Sequence, residues 1–238
     1  MADGYGFHEG EVTAIREVSP SMRRVTIAGR GLAGFDVSAP GQWIKLFVDD
    51  SPRGGRAMTV RDWRIDRLEL DIDIASHPTS DGLVGRWLQS AASGSRVRLA
   101  GPRSTFRHLP GHKLHLFGDE TALPAISAIV EHLPSGAEAF ACIEIRRPDA
   151  VLEAASMADV TWRWLVCGTE TPGAGLLRCC RELGCASGSD QAFVGCEATA
   201  AREIRQLLQA AGFAPGTAHV SGYWKAGARE HVDAESDY

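Results

Sequence analysis

From Val12 to about Ala100 the apolar residues recur mainly at every second position. Leu68, Leu70, Ile72 and Ile74 alternate with Glu69, Asp71 and Asp73, and Trp43-Ile44-Lys45-Leu46-Phe47-Val48 and Arg96-Val97-Arg98-Leu99 are shorter runs of the same kind. A period of two sends alternate side chains to opposite faces of a strand, so this half predicts a small antiparallel barrel or sandwich. One helix interrupts it around Val84 to Ala91, with Trp87 and Leu88 on its inner face. After Gly101-Pro102 the pattern changes. Short apolar strands at 114–117, 139–145, 162–167 and 192–196 alternate with helices at 121–133, 174–184 and 198–211, which predicts a parallel α/β sheet with crossover helices. The boundary falls between Arg103 and Gly111, where Pro102, Pro110 and Gly111 cluster.

Composition narrows the function classes. The 238 residues, 44% of them hydrophobic, suffice for two packed cores of ordinary domain size. A net charge of −5 argues against a nucleic-acid surface, which needs clustered basic residues, and any anionic ligand must be met by a local basic pocket. No run of apolar residues is long enough to span a bilayer and Met1 to Gly6 lack a signal-like pattern. The expectation is a soluble cytoplasmic monomer with no stable membrane association. Six cysteines, Cys142, Cys167, Cys179, Cys180, Cys185 and Cys196, lie in the second half without a CxxC pair or zinc-finger spacing. Reduced, mostly buried thiols are expected. Cys179, Cys180, Cys185 and Cys196 could in number ligate an iron–sulfur cluster, but Cys180 shares a helical face with Leu176, Leu177 and Leu183, and Cys196 ends an apolar strand, so packing accounts for both.

The segment Gly118-Asp119-Glu120-Thr121-Ala122-Leu123-Pro124-Ala125-Ile126 breaks off the strand Leu114-His115-Leu116-Phe117 and opens a helix. Gly118 permits the turn, Asp119 or Thr121 can cap free backbone N–H groups, and Pro124 suits a first helical turn. Such a junction either is an ordinary capped turn or seats an electron-rich ligand at the helix N-terminus.

Read with Arg56-Ala57-Met58-Thr59-Val60-Arg61 upstream and Gly222-Tyr223-Trp224-Lys225-Ala226-Gly227 near the end, this segment resembles the siderophore-interacting protein family, whose members are FAD-containing ferric-siderophore reductases related to the ferredoxin-reductase superfamily. The resemblance runs over nearly the whole chain. It implies a two-domain β plus α/β fold: an N-terminal six-stranded antiparallel FAD-binding β-barrel over 1–103 and a C-terminal Rossmann-like, NAD(P)-binding-type α/β domain over 111–238. By resemblance, Arg56 and Arg61 would address the FAD phosphates or the flavin's polar edge, and Thr59 would hydrogen-bond near the flavin N5. Met58 stands where the family usually has an aromatic stacked on the flavin, with Val60 beside it. Period two puts Arg56, Met58 and Val60 on one face and Thr59 with Arg61 on the other.

By the same resemblance, Asp73 and His77 would belong to the family's strand end near the adenine, and Gly82, Val84, Gly85 and Trp87 to the helix start that receives the pyrophosphate. Thr121 and Ala122 would border the flavin, and Trp224 would stack on it or shield it. In related reductases the turn after the first α/β strand is a glycine-rich GxGxxP, whereas here Asp119, Glu120 and Thr121 intervene between Gly118 and Pro124. Gly195-Cys196-Glu197-Ala198 resembles the place where the nicotinamide meets the flavin. Lys225 is the leading candidate to attract an anionic ferric chelate, with Lys45, Arg103 and Arg229 as further candidates.

The implied activity is reduction of a ferric siderophore by FAD, with electrons from NAD(P)H or from ferredoxin. Two alternatives stand beside it: an FAD/NAD(P)H reductase that hands electrons to a protein partner, and a siderophore-binding module without turnover.

Overall fold

A computed structural model describes residues 6–50, 54–75, 82–103, 106–183 and 190–228. The chain divides into two compact units, Met1–Thr105 and Phe106–Tyr238. Among the described residues, no helix is long and apolar enough to cross a membrane.

The first unit is a closed barrel of six antiparallel strands: β1 (Phe7–Ser19), β2 (Met22–Ala28), β3 (Trp43–Phe47), β4 (Arg56–Arg64), β5 (Glu69–Ala75) and β6 (Arg96–Arg103). Their order around the barrel is β1-β2-β5-β4-β3-β6, with β6 returning to β1. Val25, Ile27, Ile44, Leu46, Leu70, Ile72 and Leu99 are buried in one core, as the alternation predicts. Helix α1 (Leu83–Ser90) adds Val84 and Leu88 to that core and packs Trp87 against it. The period-two reading fails at Leu68, which lies outside β5 in a left-handed conformation, φ 47°, at the end of a short 3₁₀ turn.

Asp71 and Asp73, expected on a polar face, are buried, because neighbouring strands supply cations for them. Arg24 on β2 donates to both oxygens of Asp73 at 2.6 and 2.7 Å, while Arg64 donates to Asp71 at 2.9 and 3.1 Å and Thr26 at 2.7 Å. Burial disfavours ionised Asp71, but Arg64, Thr26 and Arg24 outweigh it and hold its carboxyl below the usual carboxylate range.

The second unit is a five-stranded parallel sheet, ordered β11-β10-β7-β8-β9: β7 (Lys113–Asp119), β8 (Glu138–Ile145), β9 (Asp159–Val166), β10 (Asp190–Glu197) and β11 (Ala218–Trp224). Helices α2 (Leu123–Glu131), α3 (Ala174–Glu182) and α4 (Ala198–Ala210) follow β7, β9 and β10. From the central β7 the chain runs to β8 and β9 on one side and returns to β10 and β11 on the other. The order therefore reverses between β7 and β10. Leu114, Leu116 and Phe117 of β7 are fully buried, as expected of a strand covered on both faces. The predicted elements of this half are all present, with ends shifted by a few residues. Tyr223 and Trp224 are the last residues of β11 rather than residues beyond it.

Candidate functional site

In the barrel unit, β4 carries the Arg56 to Arg61 motif. Its partner β3 decides which way each side chain points. Leu46 opposes Arg56 and Ile44 opposes Met58, and both Leu46 and Ile44 are fully buried. Met58 is accordingly half-buried and packed against the barrel core. Val60 is a core residue, 4% exposed, so any cofactor contact it makes runs through its backbone. Thr59, on the alternate face, is buried too, and no described residue hydrogen-bonds its hydroxyl. Arg56 reaches back to the carbonyls of Gly54 and Gly55, each at 3.3 Å.

Arg61 is held 3.7 Å from Asp73, whose own side chain is only 1% exposed and already takes two bonds from Arg24. The proposed cofactor contact of Asp73 is thereby corrected: its carboxylate positions Arg24 and Arg61 and is closed to solvent. His77 lies outside the described residues.

Helix α1 opens at Gly82, in extended backbone at φ −66°, and the Arg86 N–H closes the first turn on the Gly82 carbonyl at 3.0 Å. Gly82 has no side chain with which to cap the free amides that follow, so they remain donors for a ligand. Val84 is 6% exposed and its side chain belongs to the core, while Gly85 and Trp87 are half-buried. Of the substrate candidates in this unit, Lys45 is half-buried and faces outward from β3. The Arg103 guanidinium lies 5.4 Å from the centroid of Trp43, two residues before Lys45.

In the α/β unit, two motifs far apart in sequence meet. The Trp224 indole N–H donates to Asp119 Oδ2 at 2.7 Å, and Asp119 Oδ1 accepts the Thr121 N–H at 2.9 Å and its hydroxyl at 2.5 Å. Asp119, one of the two capping candidates, is the residue that caps the turn. Desolvation raises its carboxyl above the usual range, against the opposing bonds from Thr121 and Trp224. Pro124 sits in the first turn of α2, as expected. Ala122 is fully buried. Trp224 is half-buried with its polar atom already bonded, and Lys225 follows it, exposed. Arg229 lies outside the described residues.

Gly118 and Gly195, adjacent on β7 and β10, are glycines because of crowding. A Cβ at Gly118 would lie 2.6 Å from Ile126 Cδ1, and one at Gly195 would lie 2.8 Å from Ala122 Cβ and 2.9 Å from the Tyr223 ring. Cys196 is fully buried, and burial first, then the charges of Asp119, Glu144 and Glu197, raises its thiol well above the usual value.

Two carboxylates define the rest of this edge. Glu144 accepts the N–H groups of Gly173 and Gly175, at the start of α3, at 2.7 and 3.1 Å. Burial raises its pKa despite those bonds. Glu197 accepts from Thr199 and Ala200 at 2.6 and 3.1 Å, and from Ala226 at 3.2 Å. Although burial opposes ionisation of Glu197, those amides hold its carboxyl below the usual range. Glu144 was not singled out from sequence. Its signal is a lone acid in the apolar run Ala139-Phe140-Ala141-Cys142-Ile143-Glu144-Ile145, where a buried charge must find donors.

Comparison with known proteins follows this division. The family model described as "Siderophore-interacting FAD-binding domain" matches residues 11–54 and 49–106, and the one described as "Siderophore-interacting protein" matches residues 112–227. An uncharacterized protein of Mycobacterium tuberculosis is 34% identical over 189 residues, which span 67% of this chain and 65% of that protein. Ferric vibriobactin reductase ViuB of Vibrio cholerae is 29% identical over 240 residues, covering 90% of this chain and 88% of the reductase. The crystal structure of a siderophore utilization protein from T. fusca superimposes with a TM-score of 0.82 at 27% identity, covering 95% of each chain.

Proposed function

Because the chain belongs to the siderophore-interacting protein family, we propose that it is an FAD-dependent oxidoreductase that reduces the Fe(III) of a siderophore to Fe(II), with electrons drawn from NAD(P)H or from a ferredoxin-type carrier. The observation that carries this reading is the barrel's helix α1, whose N-terminal amides follow a residue without a side chain, on a barrel that also bears Arg56, Thr59 and Arg61. Donors of this kind suit a diphosphate and the polar edge of a flavin. FAD, when bound, supplies the ability to take up a two-electron reductant and pass on single electrons.

The chain's own residues have separable roles in this reading. The amides at Gly82 to Gly85 receive the pyrophosphate, and Arg61, fixed by Asp73, neutralises part of its charge. Thr59 offers the hydroxyl that no described residue uses. Asp119 holds Trp224 by its indole N–H and so fixes the aromatic beside Lys225. Lys225 supplies a local positive charge on a molecule whose net charge of −5 repels an anionic ferric chelate. Hard oxygen ligands hold Fe(III) far more tightly than Fe(II), so reduction itself loosens the metal. ViuB, named for ferric vibriobactin reduction and matching over most of both chains, supports the reading.

The test is kinetic. FAD-loaded protein, reduced anaerobically with dithionite and mixed with an anionic ferric chelate, reoxidises faster than free reduced FAD. Lys225→Ala slows this reaction severalfold at low salt and the gap closes at high salt. A reduced flavoprotein that ferric chelates leave unchanged contradicts the proposal and favours a protein electron acceptor.

A further inference from the structure

An open parallel sheet binds an anionic nucleotide in the crevice outside the carboxyl ends of its strands, where the strand order reverses, with the phosphates on helix N-termini and glycines allowing close approach. In this protein that crevice lies between β7 and β10, and each of these elements is already in use. The start of α3 is occupied by Glu144 and the start of α4 by Glu197. In the turn before α2, the Thr121 amide is taken by Asp119. Gly118 and Gly195 are tightly packed by the chain itself, since a Cβ at either would lie within 3.0 Å of Ile126, Ala122 or Tyr223.

The charges nearby do not reverse this. Arg146 lies 3.7 Å from Glu120, Arg147 pairs with Asp149 at 2.7 Å and Arg178 with Glu170 at 2.8 Å, leaving Arg202, exposed beyond the first turn of α4, and Lys225, next to a turn that Glu197 pins. A dinucleotide diphosphate placed here would displace a carboxylate from its amides or stand beside it.

We propose that the α/β unit is closed to pyridine dinucleotides by its own carboxylates. Glu144 and Glu197 are the specificity-determining residues that keep a diphosphate off α3 and α4. This rests on the flavin reading above and narrows its two donors to the ferredoxin-type carrier.

The experiment uses FAD-saturated protein, so that the barrel cannot take up the probe, and titrates ADP and then NADH and NADPH by calorimetry at low ionic strength. Wild type is expected to show no saturable binding. Flavin reduction by either dinucleotide should rise linearly with concentration, as for a random encounter. Glu144→Gln keeps an acceptor for one amide but removes the charge, and it should tighten ADP binding about tenfold or more, an effect that shrinks with salt. Glu197→Gln is the second variant, and thermal melts identify either one that fails to fold.

Saturable micromolar binding of NADH or NADPH by wild type overturns the proposal whatever the variants do. No gain in either folded variant overturns the assignment to these carboxylates. Neither result bears on whether the reduced protein passes electrons to ferric chelates, which is read separately by reoxidation.

Discussion

Helix α1 of the barrel and helices α3 and α4 of the parallel sheet all present free N-terminal amides and the positive end of a helix dipole, and the chain treats them in opposite ways. At α1 the preceding residue is Gly82, which offers nothing to those amides. At α3 and α4 a buried carboxylate from the chain itself, Glu144 or Glu197, takes two amides each. The same local geometry is thus available to a ligand in one unit and consumed by the fold in the other. A helix N-terminus in a nucleotide-binding type of fold is a site only if nothing internal has already satisfied it.

Closing α1 as α4 is closed tests this difference most strongly. Gly82→Asp fits the extended backbone at φ −66° and places a carboxylate over the amides of the first turn. It should raise barrel stability by about a few tenths of a kcal/mol, as a good N-cap does, while weakening FAD binding by roughly 100-fold. Flavin fluorescence titration and thermal melts read the two effects separately. Unchanged FAD affinity would remove α1 from the site.

A moderate effect is expected at Met58. An aromatic residue there would restore the family's usual residue, but the side chain packs on the barrel core beside Ile44. Met58→Tyr should therefore cost about 1–3 kcal/mol through overpacking, read as a lower denaturation midpoint. A variant that is as stable as wild type and quenches flavin fluorescence more strongly would show that the position opens toward the ring.

The smallest effect separates the two units by pH. Asp71 has a depressed pKa, so its stabilising contribution is present above the unfolded value of about 4 and is lost as pH falls through the folded value. Glu197 in the second unit behaves likewise. Asp119 and Glu144 have raised values, so their ionisation costs stability as pH rises through them, and mild acid relieves that cost. Hydrogen exchange at pH 7, 4 and 3 should show β7 and β8 slightly better protected at pH 4 than at 7 after correction for intrinsic rates. Loss at β4 and β5 should appear only toward pH 3. Uniform loss across both units from pH 7 to 4 would contradict these directions.

Much of the fold was legible because periodicity reports burial directly. The alternation Leu70, Ile72, Ile74 and the continuous apolar strands of the second half were enough to separate an antiparallel barrel from a parallel sheet. Of the candidate site, only local features could be placed: the turn at Gly118 to Pro124 from neighbouring residues, and the helix start at Gly82 from the family resemblance. The orientation of Met58 could not, since its strand neighbour Ile44 decides it. The bond from Trp224 to Asp119 joins residues 105 positions apart, and no local pattern encodes it. Asp73 was read as a ligand contact from the family resemblance alone, which says nothing of its strand neighbours. Arg24, 49 residues earlier, makes it structural.

The most direct test of the proposed activity counts electrons. Protein loaded with FAD is reduced fully under anaerobic conditions, freed of excess reductant and mixed with a ferric siderophore in the presence of a ferrous-specific chromogenic chelator. The account predicts flavin reoxidation in step with the appearance of about two Fe(II) per FAD, since each fully reduced flavin carries two electrons. A preparation that binds no FAD, or a reduced flavin that persists while no Fe(II) forms, would contradict it.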